Sequence, residues 1–398
     1  MEYVKLKDIT TKITKGTTPS NIGASFTDEG INYFRSEMLG KAKYLDKSSG
    51  MMFISESTHN KLKRSQIEAD DILFSMAGIY LGKLAIVKDE DVPANTNQAV
   101  ALIRFNKGVN IDYLYYFMVQ KSFNAYVNCM SAQAAQPNIN LKQIGNLQIA
   151  LPTDEQQKRI ADILSNYDNL IENNNKRIQL LEQMAENLYK EWFVRFRFPG
   201  YEDVEFEEKK PRGWQVVTED KKHFTATIFK YDEFKNIGSF LRGKNITAAK
   251  MVEGDIPVIS AGLQPSGYHN EANVFGESLT ISASGANAGY LQYHLQDIWA
   301  ADCSYYQDDA IIWFVYNTLK FLQPVIINLQ CGAAQPHVYP KNINKLCVLI
   351  PTEELIYKYN DFVKPYYDEI KILNQRNQSL TKQRDMLLPR LMSGKLEV

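Results

Sequence analysis

Ala134–Thr153 reads AAQPNINLKQIGNLQIALPT, and Ala333–Thr352 reads AAQPHVYPKNINKLCVLIPT. The offset is 199 residues, from 134 to 333, in a chain of 398. A near-copy displaced by half the chain marks a duplicated unit. The period is too long for a solenoid, so two similar halves related by a pseudo-twofold are expected.

Each copy runs into a helix start. Pro152 precedes Thr153, a candidate N-cap. Asp154 and Glu155 suit the positive end of a helix, and Gln156 completes a T-x-x-Q capping box. Pro351 and Thr352 hold the same places in the second copy, followed by Glu353 and Glu354, but Leu355 replaces the glutamine. Beyond these caps the apolar residues keep heptad spacing. With Ile160 as position a, Tyr167, Asn174, Leu181 and Leu188 follow, with Ile163, Leu170, Arg177, Met184 and Glu191 at d. The shifted copy gives Tyr359, Tyr366, Leu373, Leu380 and Leu387 at a, and Phe362, Glu369, Arg376, Gln383 and Arg390 at d. Helices of about 40 residues would span about 60 Å. Seams that mix apolar and polar residues suit an antiparallel coiled coil of fixed register. The alternative is two buried helices in separate globular domains.

The rest of the chain is mixed. DILFSMAG, KLAIVKDED and QAVALIRFNKG read as strands, and YLYYFMVQ reads as a helix. GDIPVISAG, LTISASGANAG and AIIWFVY give the later segment the same β-rich character. The fold class expected is α+β, with two mixed α/β domains separated by two long helices. The boundaries are a head over 1–152, a helix over 153–198, a linker with the second head over 199–350, and a helix with its tail over 351–398.

Composition narrows the function. The formal net charge is −1, without the basic footprint of an autonomous nucleic-acid binder. Local patches or partner subunits would have to neutralise phosphates. No apolar run approaches the roughly 18 residues of a membrane span, and MEYVKLKDIT lacks the apolar core of a signal peptide. The four cysteines form no C-x-x-C pair and the five histidines show no ligand spacing. A reduced, metal-free, cytoplasmic protein is expected.

Both heads carry S-x-x-G-x-x-x-G after a short strand, as SMAGIYLG over Ser75–Gly82 and SASGANAG over Ser282–Gly289. Small residues let a loop backbone approach another molecule; equally, a strand-turn-strand connection needs glycine for its geometry. GIYLGKL is not a phosphate loop, because only three residues separate its glycines and Leu84 follows Lys83. G-x-G-x-x-G, H-E-x-x-H and G-x-S-x-G are missing, as are the acidic- or Asn-Pro-Pro-aromatic motifs of amino methyltransferases. Nothing recommends catalysis.

Several polar side chains suit base or phosphate contacts, since Asn and Gln pair with adenine and Arg or Lys with guanine. In the first half these are Arg35, Ser36, Lys61, Lys63, Arg64, Tyr80, Lys83, Asn97 and Gln98, with Asn95 beside them, and Gln136 in the repeated stretch. In the second half they are Arg242, Lys244, Ser284, Asn287, Tyr290, Ser304 and Tyr305, with Asp302 beside them, and Gln335 and His337. Each also fits a solvated surface residue. Tyr189, Trp192 and Phe193 near the end of the first helix are candidate partner anchors, since aromatics dominate interface hot spots. They equally fit packing against the neighbouring head.

The run PTDEQQKRIADILSNYDNLIENNNKRIQLLEQMAENLYKEWFVRF resembles the central conserved helix of type I restriction–modification specificity subunits. LLPRLMSGKLEV resembles the distal conserved region of that family. SMAGIYLGKLAIV with NTNQAV, and GDIPVISAGLQPSGYHNEANVFG with SASGANAGY, resemble its target-recognition domains. The resemblance covers nearly the whole chain. One departure is Val217–Tyr231, longer and less patterned than the family leads one to expect before a second recognition domain.

The resemblance implies a non-catalytic subunit. Each head would read one half of a bipartite, asymmetric double-stranded DNA target, while the helices set the spacing and dock modification subunits, two being expected. Those partners would use S-adenosylmethionine to methylate adenine, and restriction subunits would use ATP and Mg to translocate and cut. No cofactor is expected in this chain. The competing readings are a tandem-module scaffold that binds protein or carbohydrate, and a stand-alone nuclease or methyltransferase.

Overall fold

The computed structural model describes residues 2–40, 42–47, 50–131, 137–208, 224–331 and 336–396. The chain divides into two compact units. The first joins Met1–Asn174 to Arg376–Val398, and the second is Asn175–Gln375.

In the first unit a four-stranded antiparallel sheet runs in the order Thr10–Lys15, Val100–Phe105, Ile72–Ser75, Leu84–Ile86. The sequences ILFS and VALIRF are apolar almost throughout because both faces of this sheet are covered. Alternate side chains point to opposite faces. Ile72, Phe74, Ala101 and Ile103 therefore enter one core with the helix Ile111–Met118. Leu73, Val100 and Leu102 enter another with Phe34, Val87 and Ala94. Phe34 and Ala94 belong to a second sheet, in the order Met52–Ile54, Ile31–Phe34, Ala94–Thr96, whose last pair is parallel. Glu2–Lys5 pairs antiparallel with Gln148–Leu151.

The second unit repeats this topology. Its four-stranded sheet is Leu241–Arg242, Cys303–Tyr306, Ser278–Ser282, Leu291–His294. Its three-stranded sheet is Gly267–His269, Ile256–Ile259, Trp299–Ala300, again with a parallel last pair. Lys230–Glu233 pairs with Cys347–Ile350. The apolar end of each repeated stretch, QIAL or CVLI, is thus the closing strand of its head, paired with the strand that opens it.

AIIWFVY is not a strand. Ile312–Phe321 is a helix whose residues Ile312–Leu319 are all buried. A helix covered on every side shows no amphipathic period, so its sequence reads like a buried strand. The departure at Val217–Tyr231 lies partly outside the described residues; Phe224–Ala226 pairs with Phe206–Glu208 ahead of the second head.

The long helices are Asp154–Tyr189 and Glu353–Met392. The first continues as a π-helical turn over Lys190–Val194. Thr153 and Gln156 form the reciprocal box, with the Gln156 amide donating to Thr153 Oγ1 and the Thr153 amide to Gln156 Oε1, both at 3.3 Å. At the second start the Leu355 amide donates to Thr352 Oγ1 at 3.4 Å. Pro365 and Pro389 lie inside the second helix without ending it. Each removes a backbone donor, but Val363 and Tyr367 are fully buried around Pro365, and their packing carries the helix through.

Within each unit the two helix segments are antiparallel. In the first, Asn174 Nδ2 donates to Asn377 Oδ1 at 2.8 Å, and Asp168 pairs with Arg384. In the second, Arg177 meets Glu369 at 3.2 Å, and the Tyr359 hydroxyl donates to the Ala185 carbonyl at 2.9 Å. The seam is not a simple heptad seam. The d residues Leu170, Met184 and Phe362 are exposed. Each segment instead lays a face on its own head, through Ile160, Ala161 and Leu164 in the first unit. Ile356, Tyr359, Val363, Tyr367 and Ile370 do so in the second. Among the described residues no helix is long and apolar enough to cross a membrane.

Candidate nucleic-acid interface

In each unit four loops meet at one end of the four-stranded sheet. In the first unit the Gly16 amide donates to Val100 O at 3.2 Å and the Thr17 amide to Thr96 O at 3.0 Å. The Met76 amide donates to Ala99 O at 2.8 Å, Gly78 to Pro137 O at 3.0 Å, and Ile139 to Met76 O at 2.9 Å. The second unit repeats the set. Gly243 donates to Cys303 O and Lys244 to Ala300 O, both at 2.9 Å. Ala283 donates to Asp302 O at 3.3 Å, Gly285 to Pro336 O at 3.1 Å, and Val338 to Ala283 O at 3.0 Å. The proline of each repeated stretch therefore holds the first glycine of each S-x-x-G-x-x-x-G loop.

The glycines are needed for the turn. Gly78 and Gly82 have φ of 69° and 78°, and Gly285 and Gly289 have φ of 75° and 88°, all in the left-handed region. Gly16 and Gly243 serve close approach instead, since a Cβ there would lie 2.0 Å from Thr96 O or 2.4 Å from Ala301 O. Both readings of the glycine loop hold together. It is a strand-turn-strand connection, and its tip is open to solvent at Gly78 and Ile79 in one head and Ala286 in the other.

The side chains around the two clusters differ. In the first unit Arg64 Nη2 donates to Thr17 Oγ1 at 3.3 Å, and the Thr18 hydroxyl donates to the Gln98 side chain. Lys83 Nζ lies 4.9 Å from the Tyr80 ring centroid, a cation–π contact. Arg64, Gln98, Tyr80 and Lys83 thus belong to loops at or beside the cluster. Lys61 and Lys63 are exposed on the segment leading to Arg64. Asn97 is half-buried, and its Oδ1 accepts from the Ala99 amide at 3.0 Å, shaping the loop. Arg35 is engaged by Glu37 at 3.0 Å, and Ser36 opens a short 3-10 turn beside it.

In the second unit Arg242 forms an ion pair with Asp302, which also accepts from the Ser284 hydroxyl. Lys244 Nζ lies 5.9 Å from the Trp299 ring, whose Nε1 donates to Lys244 O at 2.8 Å. Asn287 and Tyr290 are partly or fully exposed on the loop, Tyr305 is half-buried, and His337 stacks on Tyr339. Gln136 and Gln335 lie outside the described residues.

Four expectations need correction. Asn95 is fully buried and bonded to His59, Leu62 and Ser65, so it holds the fold. Ser304 is fully buried in its strand, because alternation turns it away from solvent while Tyr305 faces the other way. Ser284 is buried against Asp302. Tyr189, Trp192 and Phe193 are buried in the fold rather than presented at the surface. They are 2%, 5% and 3% exposed, and Tyr189 at the helix end, with Trp192 and Phe193 on the π turn, packs into the second unit's core against Phe314 and Tyr359.

Sequence reasoning passed over Thr17, Thr18 and Ile79. A signal for the first two exists: a basic residue and glycine close a short strand in both heads, as Lys15-Gly16 and Arg242-Gly243. Burial pushes the Cys303 thiol up to about 12, which keeps it neutral and inert. Among the described residues no three His, Cys, Asp or Glu side chains are grouped to hold a metal ion. The clusters offer amides, hydroxyls and cations on rigid loops, the groups that contact phosphates and base edges.

The model of the type I restriction modification DNA specificity domain matches residues 1–183 and 227–382. The chain is 26% identical to the type I restriction enzyme MjaIX specificity subunit of Methanocaldococcus jannaschii, over 99% of this chain and 93% of that protein. It is 21% identical to the HindI specificity subunit of Haemophilus influenzae, over 84% and 88% respectively. The crystal structure of the type I restriction–modification S subunit from M. genitalium shares its fold, with a TM-score of 0.56 at 17% identity over 98% and 95% of the two chains. The two matched stretches fall on the two halves that the repeat delimits, each with its own loop cluster. A duplicated head carried on two long helices, matched along both copies, places this chain in the type I restriction–modification specificity-subunit family.

Proposed function

We propose that this chain supplies the DNA sequence specificity of a type I restriction–modification complex. Each head reads one half of a bipartite double-stranded target, and the long helices, which run from one unit into the other, set the half-site spacing. The observation that carries the reading is the pair of loop clusters. Their backbone hydrogen bonds correspond one for one, while their side chains do not. A shared frame with different contact groups suits two different half-sites, hence an asymmetric target.

The chain contributes recognition and its partners the chemistry. Modification subunits, two per complex, carry S-adenosylmethionine, and restriction subunits carry ATP and Mg. With Trp192 and its neighbours buried, docking falls to exposed helix faces. Leu180 and Met184, one turn apart and 59% and 49% exposed, are the apolar pair best placed to anchor a partner.

Modified-base sequencing of a host expressing this chain with its modification subunit tests the reading. The expected result is a bipartite methylated motif, of which replacement of residues 1–150 changes one half only. A stable complex that leaves DNA unmethylated would favour the protein- or carbohydrate-binding scaffold instead.

A further inference from the structure

The tip of the first glycine loop carries an apolar side chain in an unusual place. Ile79 is 86% exposed, the highest value for a large apolar residue among the described residues. Isolated exposed apolar residues are common, but this one sits on a rigid mount. The Leu81 amide donates to Gly78 O at 3.0 Å, and the Gly82 amide to Ser75 O at 3.0 Å. The Lys83 amide donates to Tyr80 O at 2.9 Å, and the Pro137 carbonyl fastens Gly78 from outside. The tip is a single 3-10 turn between two left-handed glycines. The position of Ile79 is therefore fixed, with no neighbour among the described residues to bury it.

Its setting is polar and cationic. Lys83 stands over Tyr80 at the foot of the turn, and Arg64 and Gln98 belong to the adjoining loops. The same turn in the other head has Ala286 in place of Ile79 and Asn287 in place of Tyr80. The backbone frame is shared by the two heads and the tip is not, so the tip is one of the places where the heads differ in the groups they present. On a base edge in the major groove the one apolar group is the thymine methyl, which makes A·T and T·A pairs distinguishable.

We infer that Ile79 is a specificity-determining residue that reads a thymine methyl in the half-site bound by the first head. This rests on the DNA-recognition reading above. Cations beside the tip hold phosphates, and the isoleucine packs on the methyl once the loop enters the groove.

The test uses the assembled complex of this chain with its modification subunits. Once modified-base sequencing has named the target, duplexes are made with each thymine of that target replaced in turn by deoxyuridine. This removes the methyl and leaves the pairing intact. Burial of one methyl corresponds to about a fourfold change in affinity. One replacement, in the half-site that follows residues 1–150, should weaken binding about fourfold for the wild-type complex. The same replacement should have no effect on the Ile79→Ala complex, which should bind the unaltered duplex about as weakly. Ile79→Val, with its smaller loss of contact, should fall between the two. Because the side chain touches no core, both variants should keep the unfolding transition of the parent.

Uniform tolerance of deoxyuridine by a wild-type complex that still methylates its motif would overturn the inference and leave the function intact. Loss of modification subunits from Ile79→Ala would overturn it too, by placing the side chain on a protein partner. A complex that methylates no motif at all would instead sink the reading on which the inference rests.

Discussion

Single side chains in this protein are assigned by burial more than by type. Asn95 and Asn97 are two residues apart and chemically identical, yet one bonds the interior and the other shapes a loop. The parallel strand Ala94–Thr96 decides this through its pairing with Ile31–Phe34, and that pairing is not visible locally. The same holds for Ser304 beside Tyr305. His294 shows how burial becomes measurable. Its Nε2 lies 2.8 Å from Thr280 Oγ1, and desolvation lowers its pKa from 6.5 to about 4. The unfolded chain takes up a proton below about 6.5, while the folded chain resists until about 4. The unfolded state thus binds more protons in this window, and stability is lost as pH falls from 6.5 towards 4, by at most about 1.4 kcal/mol per pH unit. In urea titrations across that range, the midpoint of His294→Gln should fall less steeply with acid than that of the wild type. Parallel curves would show that the imidazole titrates freely in the folded protein.

Elements with a strong period were legible from their residues. The two long helices, their caps and the half-complete second box all follow from side-chain type and spacing. Where the period vanished, so did legibility: Ile312–Phe321 is covered all round and reads as a strand. The heads also hide which helix face is the core face, because two faces of each long helix carry apolar residues. Leu355 illustrates the consequence. By motif it is the residue that spoils a capping box; in the fold it is 7% exposed and part of the second unit's core. Leu355→Gln should therefore destabilise the protein by about 2 kcal/mol, since it trades buried apolar area for a polar group. Gln156→Leu, at an exposed cap, should cost less than about 1 kcal/mol. Denaturant unfolding of both variants measures the contrast, and equal costs would mean that Leu355 does not pack as described.

At the scale of the whole molecule the duplication was legible and the partition was not. The repeated stretch revealed two heads, but not that each compact unit takes half of both long helices. That sharing follows from antiparallel packing, which periodicity suggests without fixing which ends meet. The net charge of −1 makes a further prediction. The chain alone should bind its target weakly, with affinity falling steeply as salt rises, and the assembled complex should bind far more tightly. Fluorescence anisotropy with a target duplex over 50–200 mM salt (a range of roughly fourfold in concentration) reads both quantities. Tight binding by the isolated chain would mean that the loop clusters suffice by themselves. The partition also sets an order of manufacture. On the ribosome, the unit spanning Asn175–Gln375 is complete as soon as its own residues have emerged. The unit begun first must wait for Arg376 onward, because Leu391 and Met392 are buried in its core. The half translated earliest is the last to close, and a message cut short near its end leaves it with an open apolar seam for proteases to find.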